Sequence, residues 1–166
     1  MRIISGTCRG RKLASLEGRD IRPTSDRIKE TMFNILGPRV KKTRVLDLFA
    51  GTGALGLEAL SRGAARAVFV DVSAVSCRII QQNIDHCRFF QQSCVIRKDI
   101  FTGELPVSVT SCSFDLIFMD PPYHQNHVKI LLEKHRVGSL LSDGGIVVAE
   151  HAAKETLPDT LNGLDI

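Results

Sequence analysis

The sequence contains no long apolar segment. Its longest uninterrupted apolar runs, such as Ile146 to Ala149, have only a few residues, whereas a helix needs about 18 to cross a bilayer. Near the N-terminus, polar and basic residues from Ser5 to Arg9 interrupt anything resembling the apolar segment of a signal peptide. We therefore expect a protein without a membrane span, located in the cytoplasm.

Cysteine pairs and large aromatic residues are scarce. The chain has five cysteines, an odd number, and no C-x-x-C spacing, so neither a zinc site nor a dithiol redox pair is indicated. We expect reduced thiols that mostly fill space in the core. There is no tryptophan and only one tyrosine, which makes the position of that tyrosine informative.

Acidic residues are under-represented at the N-terminal end. The 166 residues, 43% hydrophobic and 24% charged, carry a net charge of only +4, as expected for one folded domain. Residues 1–44, however, contain 12 Lys and Arg against 4 Asp and Glu, and the remainder of the chain is net acidic. This imbalance indicates a polyanionic partner that docks on the N-terminal part; an ordinary solvated surface is the alternative.

Apolar runs of strand length alternate with segments of helical period from residue 44 onward. Strands that are apolar throughout, separated by helices, predict a parallel sheet covered on both faces, a doubly wound α/β fold. The predicted strands are Val45–Phe49, Ala67–Asp71, Cys94–Lys98, Phe114–Met119 and Gly145–Glu150. The predicted helices between them are Ala54–Arg62, Ser73–Phe89 and Asn126–Arg136. Ligands of such folds bind at the carboxyl ends of the strands.

Two elements precede the predicted sheet. The first residues alternate short apolar patches with a basic, turn-forming middle, which predicts a β-hairpin arm. An amphipathic helix follows, with Thr24 or Ser25 as its N-cap and Gly37-Pro38 as its stop. Its apolar positions, spaced by three and four residues, are Ile28, Met32, Ile35 and Leu36. We divide the chain into a basic arm, residues 1–23, and a ligand-binding domain, residues 24–166.

Glycine and acidic residues occupy the predicted strand ends. The first strand runs into Asp47-Leu48-Phe49-Ala50-Gly51-Thr52-Gly53, where glycines let the backbone approach a ligand and turn into a helix. With Gly56, these glycines also fit G-x-G-x-x-G, which alone is weak evidence for a dinucleotide site. Asp71 ends the second strand and could hold a ribose, whereas Asp99, after the third, could receive an adenine amine. The alternative for each aspartate is a helix cap or turn residue.

The segment Asp120-Pro121-Pro122-Tyr123 directly follows the apolar strand Phe114–Met119. Two prolines fix the backbone and offer carbonyl acceptors but no N–H donors. Asp120 adds a side-chain acceptor, and the only tyrosine adds a flat ring. This combination suits a planar amine that donates hydrogens and stacks, such as the exocyclic amine of a nucleic-acid base.

The two motifs together resemble the paired signature of class I S-adenosylmethionine-dependent amino-methyltransferases. The likeness extends to the N-terminal pattern of the bacterial 16S rRNA guanine-N2 methyltransferases, the RsmD family, and it runs from residue 2 to about Glu150. The segments that carry it are Arg2-Ile3-Ile4-Ser5-Gly6, Gly10-Arg11-Lys12-Leu13, Arg22-Pro23-Thr24-Ser25-Asp26-Arg27 and Phe33-Asn34-Ile35-Leu36. The resemblance implies a Rossmann-like class I fold and methyl transfer from S-adenosylmethionine to a guanine N2 in 16S rRNA.

The same resemblance implies roles for individual residues. The catalytic set is Asp120, Pro121, Pro122 and Tyr123. The cofactor set is Asp47, Phe49, Ala50, Gly51, Thr52, Gly53, Asp71, Val72, Asp99, Ile100 and Thr24, although Thr24 suits a helix cap better. Phosphate contacts fall to the basic arm, through Arg9, Arg11, Lys12, Arg19 and Arg22. The expected partner is ribosomal RNA within the small subunit or an assembly intermediate, and no metal is expected, although His124 and His127 have a spacing that could suit one.

Two departures and several alternatives accompany this interpretation. The second strand ends in Asp71 where the family more often has Glu, and the chain stops after five predicted core strands where class I folds add two antiparallel ones. An adenine-N6 or cytosine-N4 methyltransferase acting on DNA or RNA would use the same tetrapeptide. An RNA-binding relative with impaired catalysis is a further alternative. An NAD-dependent oxidoreductase would explain the glycines and Asp71 but neither Asp120 to Tyr123 nor the basic arm.

Overall fold

The computed structural model of the protein describes residues 1–15, 26–121, 127–134, 137–151, 160–161 and 164–165. Its strands are β1 Arg44–Leu48, β2 Arg66–Asp71, β3 Ser93–Arg97, β4 Phe114–Met119, β5 Leu141–Ala149, β6 Thr160–Leu161 and β7 Leu164–Asp165. Its helices are α1 Asp26–Leu36, α2 Ala54–Ser61, α3 Ala74–Cys87, α4 Val107–Thr110, α5 His127–Lys134 and α6 Val137–Leu140. In these described ranges, no helix is long and apolar enough to cross a membrane.

The first five strands form one parallel sheet in the order β3-β2-β1-β4-β5. This confirms the doubly wound α/β fold. The strand order reverses between β1 and β4, which lie side by side. Ligands of doubly wound sheets bind in the crevice outside the carboxyl ends at such a reversal, and here the glycine-rich loop and Asp120 meet at that point.

The core lies on both faces of the sheet because its central strands are apolar on both sides. On one face, Phe69 and Phe118 pack with α2, α3 and the arm residue Ile3. On the other, Leu46 and Ile117 pack with α5 and α6. The outer strands β3 and β5 are only partly buried. Burial on both faces is therefore confirmed for the centre of the sheet and is weaker at its edges.

Strand positions agree with the sequence-based prediction within about one residue, except for β5. That strand begins at Leu141, not Gly145, and its pairing with β4 shifts register between Phe114 and Leu116. The hydroxyl of Ser142 donates to the Phe114 carbonyl at 3.2 Å and to Asp115 at 2.7 Å, which secures the added residues. The short α4 was not predicted. β6 and β7 are further strands, and they pair with each other in a separate antiparallel sheet.

Helix α1 forms over the predicted residues but buries a different face. Ile28 is 58% exposed and Ile35 is 75% exposed, whereas Lys29 and Phe33 are fully buried. Of the four apolar positions predicted for the buried face, Leu36 is buried and Met32 packs against the core, whereas the prediction was wrong for the two isoleucines. The physical reason is that Lys29 finds a buried carboxylate, Glu58 at 3.7 Å, which offsets the cost of burying its charge. The isoleucines instead line an apolar groove of about 550 Å³ against β5.

The N-terminal arm is attached to the domain rather than extended from it. An antiparallel bridge between Arg2 and Lys12 and a backbone bond between Ile3 and Arg11 join its two sides, so the predicted hairpin forms as a short pairing. Its backbone also bonds to α2: the N–H groups of Ile4 and Ser5 donate to the Glu58 carboxylate at 2.7 and 3.0 Å. The arm ends at Ser15 within the described residues, and the boundary predicted at residue 23 lies outside them.

Candidate active site

The loop that follows β1 has an unusual backbone. Phe49, Gly51 and Gly53 all have positive φ, at 60°, 57° and 76°. Glycine adopts this region at no steric cost, whereas for Phe49 it is strained. The Gly53 N–H donates to the Ala50 carbonyl at 2.7 Å, which closes the turn. The loop therefore presents backbone groups at the start of α2, as the Gly-rich sequence predicts.

Asp47 lies beneath this loop and is buried. Its carboxylate accepts a hydrogen bond of 2.9 Å from the Gly56 N–H in the first turn of α2. Burial raises the pKa of Asp47 to about 8, the carboxylates of Asp120 and Asp71 add to that shift, and the Gly56 bond opposes it. Gly56 is required for close packing, since a Cβ there would lie 2.4 Å from the Phe69 ring. The predicted cofactor residue Asp47 thus contacts the loop from inside the protein.

Asp71 joins the end of β2 to the same loop. One carboxylate oxygen accepts the Gly51 N–H at 2.8 Å, and the other accepts the Ser73 N–H, also at 2.8 Å. A carboxylate has about four acceptor positions, so two of them are filled and two are left for a ligand. This geometry fits a ribose whose two hydroxyls donate to Asp71.

The other predicted adenine-side residues differ in what they can offer. Val72 is 55% exposed directly beside Asp71, an apolar surface that a flat ring could cover. Asp99 accepts the Phe101 N–H at 2.9 Å, and hydrogen bonds from Thr102 and Phe101 hold its pKa below the usual value. Ile100 is only 2% exposed and packs in the core. A contact from Ile100 would therefore come from its backbone.

Asp120 stands at the end of β4, across the strand reversal from the glycine-rich loop. Burial raises its pKa to about 6, and the like charge of Glu150 at the end of β5 contributes. Within the ranges that the structure describes, no hydrogen bond to its carboxylate is found. Pro121 is buried beside it. The site therefore combines a carboxylate with open acceptor capacity and the prearranged loop.

The basic arm residues divide into exposed and engaged ones. Arg9 and Lys12 are exposed, whereas Arg11 donates to the His86 carbonyl at the end of α3. Several predicted site residues lie outside the described residues: Thr24, Arg19, Arg22, Pro122, Tyr123 and His124. His127 is described and stacks on Phe101, with ring centroids 4.5 Å apart. No cluster of three metal-ligating side chains occurs among the residues described.

Two buried polar side chains near the site were not predicted. Glu58 is fully buried and accepts bonds from the arm and, at 2.7 Å, from Arg62. Asn83 is 1% exposed and bonds to both the arm and the glycine-rich loop. The sequence contained a signal for each. Glu58 is the only charge in the otherwise apolar α2, and Asn83 has the helical spacing of the buried residues Ile80 and Ile84.

Comparisons with known proteins agree with this geometry. The family model described as "Conserved hypothetical protein 95" matches residues 1–166. "Putative rRNA methyltransferase YlbH" of Bacillus subtilis is 38% identical over 164 residues, which cover 99% of this chain and 89% of that protein. "Ribosomal RNA small subunit methyltransferase D" of Escherichia coli is 31% identical over 95% of this chain and 78% of its own. The solved structure of "Putative methyltransferase yhhF" from Escherichia coli aligns with a TM-score of 0.78 and 33% identity, over 95% and 84% of the two chains.

Proposed function

Because the chain belongs to the RsmD family, the family whose model spans its whole length, we propose that it methylates the exocyclic N2 amine of a guanine in 16S ribosomal RNA. It is an S-adenosylmethionine-dependent rRNA methyltransferase of the class I fold. Relatives bear the name of small-subunit rRNA methyltransferases. The observation that carries the proposal is the meeting of Asp120 with the Asp71-anchored glycine-rich loop at the strand reversal.

The residues at the loop fit the cofactor. Asp71 has acceptor positions for two ribose hydroxyls, and the partly exposed Gly51 would lie against the methionine portion. Val72, exposed beside Asp71, offers an apolar surface for the adenine ring. Bound S-adenosylmethionine supplies an electrophilic methyl group on a sulfonium.

The acceptor amine needs help from the protein because its lone pair is delocalised into the guanine ring. Asp120 and the Pro121 carbonyl each accept one of its hydrogens, so that the nitrogen becomes pyramidal and its lone pair points at the methyl. Tyr123 stacks on the guanine once that base has left its helix or loop. The gain comes from orientation and electrostatics, as for other reactants held near attack geometry.

The basic arm makes the contacts to the RNA phosphates outside the methylated base. Arg9 and Lys12 are exposed there, and phosphate contacts from such residues set affinity and position without reading sequence. Binding should therefore weaken steeply with salt. We further propose that the RNA is presented within the small ribosomal subunit or one of its assembly intermediates.

The test is transfer of a labelled methyl group to three acceptors in parallel, with nucleoside analysis of each product. The acceptors are small subunits from an unmodified strain, naked 16S rRNA and duplex DNA. Label recovered as N2-methylguanosine in RNA supports the proposal. Label in DNA, or in another methylated base, would contradict the proposal and favour an adenine-N6 or cytosine-N4 methyltransferase.

A pair of variants on one strand tests the role of Asp120. Asp120→Asn should reduce transfer by about 10²-fold or more, since a single electrostatic contact to the reacting group is worth that much, while S-adenosylhomocysteine binding stays within twofold. Asp115→Asn is the matched control, because Asp115 lies at the opposite end of β4 and bonds to the Arg44 N–H at 2.8 Å. Equal losses in both variants would show that Asp120 acts only through folding.

A further inference from the structure

Asn83 links the basic arm to the glycine-rich loop. Its side-chain oxygen accepts the Ala14 N–H at 2.7 Å, and its side-chain nitrogen donates to the Ala14 carbonyl at 3.1 Å. The same nitrogen donates to the Thr52 carbonyl at 2.9 Å. One buried amide therefore bonds to the end of the basic arm and to the glycine-rich loop at the same time.

Every hydrogen-bonding group of this amide is used. A primary amide has two N–H donors and one carbonyl acceptor, and the three bonds to Ala14 and Thr52 occupy all of them. Because Asn83 is 1% exposed, water cannot replace a bond that is lost, and leaving a buried polar group unpaired is costly. Movement of the arm at Ala14 is thus tied to the position of Thr52.

A second contact joins the same two regions. The Thr52 hydroxyl lies 3.7 Å from the Met1 sulfur, and the Leu13 N–H donates to the Met1 carbonyl at 3.1 Å. Both ends of the arm therefore reach the loop. Arg9 and Lys12, the exposed basic residues between these two ends, belong to the same hydrogen-bonded unit as the glycine-rich loop.

We propose that Asn83 is a positioning residue that couples RNA binding on the arm to cofactor binding at the glycine-rich loop. The inference rests on the proposed function. RNA that holds the arm in place also holds the loop, so each ligand raises the affinity for the other. Such coupling is reciprocal by thermodynamic linkage, and the two affinity ratios must be equal.

The experiment measures the complete binding cycle with unreactive S-adenosylhomocysteine and unmodified small ribosomal subunits. The Kd for S-adenosylhomocysteine is measured with and without saturating subunits, and the Kd for subunits with and without S-adenosylhomocysteine. Wild-type protein should show the same tightening in both directions, about fivefold or more. In Asn83→Leu the coupling factor should fall well below the wild-type value, since only the Met1–Thr52 contact still joins the arm to the loop, while each ligand still binds alone.

Ile84→Val is the matched control. Ile84 lies next to Asn83 on α3 and is fully buried, so the change loosens packing without removing a bond to Ala14 or Thr52. It should leave the coupling factor unchanged. If both variants retain the wild-type coupling factor, the inference is wrong and Asn83 contributes only to the stability of the fold.

Hydrogen exchange on the wild-type protein provides a measurement that needs no variant. Adding an unmodified 16S transcript should slow exchange at the Ala14 N–H and also at the Gly53 N–H in the loop. Slowing at Ala14 alone would overturn the coupling. If wild-type protein binds both ligands but neither affinity depends on the other ligand, only this inference is wrong. If the protein binds neither ligand, the proposed function is wrong as well.

Discussion

The two sides of the site differ in how their carboxylates are bonded. Asp71, on the cofactor side, accepts backbone N–H groups of Gly51 and Ser73 at 2.8 Å each. Asp120, on the acceptor side, accepts no hydrogen bond from the residues described, and burial with the neighbouring Glu150 raises its pKa to about 6. The Asp71 carboxylate is therefore bonded into its loop, whereas the Asp120 carboxylate is partly buried and keeps its acceptor positions open.

In the proposed function, Asp71 at the end of β2 serves cofactor binding and Asp120 at the end of β4 serves the reaction. The Gly51 hydrogen bond to the Asp71 carboxylate helps to hold the glycine-rich loop, in which Phe49 has a strained positive φ. The open acceptor positions of Asp120 stay available for an amine that donates hydrogens. A partly buried carboxylate that lacks hydrogen-bond donors lowers the stability of the fold. Perturbed groups of this kind are common at functional sites.

Loss of the Asp71 carboxylate should strongly weaken cofactor binding. Asp71→Ala deletes the acceptor for two backbone N–H groups and for the ribose, each charge-assisted bond being worth about 1.5–3 kcal/mol. We expect S-adenosylhomocysteine affinity to fall by about 10²-fold or more, measured by calorimetry. Asp120→Asn is the comparison variant and should bind it within twofold. Equal affinity losses would mean that the two carboxylates do not have separate roles.

The rate of methyl transfer should depend on the ionisation of Asp120. Because Asp120 must be ionised to accept the amine hydrogen, kcat/KM should fall tenfold per pH unit as the pH drops below about 6. Glu150→Gln removes a like charge, lowers the pKa of Asp120 and so should move this limb to lower pH. S-adenosylhomocysteine binding, measured over the same range, should not follow the Asp120 limb. If the acidic limb of the pH profile does not move in Glu150→Gln, a group other than Asp120 is responsible for that limb.

The smallest expected effect is on stability. The folded protein keeps the Asp120 proton up to about pH 6, whereas the unfolded chain releases it near 3.8, so ionisation lowers stability as pH rises across that interval. At pH 7, Asp120→Asn should therefore be about 1–2 kcal/mol more stable than the wild type, after allowance for partial exposure. Urea unfolding of both proteins at pH 7 and pH 4 measures this difference in the free energy of unfolding. The gain should shrink at pH 4, and an equal gain at both pH values would contradict the electrostatic origin.

Much of the sheet could be predicted because its signal is local. Strand β4 occupies Phe114–Met119 as expected, and Asp47, Asp71 and Asp120 meet at one edge as the alternation of strands and helices implies. Parallel strands bring their carboxyl ends together whatever the details of packing. The roles of individual site residues, Tyr123 included, stay predictions.

The polar interior could not be predicted because it depends on partners far apart in the chain. Periodicity placed Ile28 and Ile35 toward the core, but Lys29 is buried instead through contact with Glu58. Asn83 is recognisable as buried from its spacing, yet its bonds to Ala14 and Thr52 follow only from the fold. Spacing identifies a buried face when the core is apolar, and it fails where a buried ion pair decides the orientation.

The attachment of the arm also has a consequence for the order of synthesis. Ala14 and Asn83 are 69 positions apart, and Cys8 and Cys87, which share a contact, are 79 apart. A ribosome that adds about 5–20 residues per second therefore finishes the arm several seconds before its anchors exist. During that interval the basic arm is an unanchored polycation next to the ribosome's own RNA, and it becomes part of the folded enzyme only as α2 and then α3 are completed.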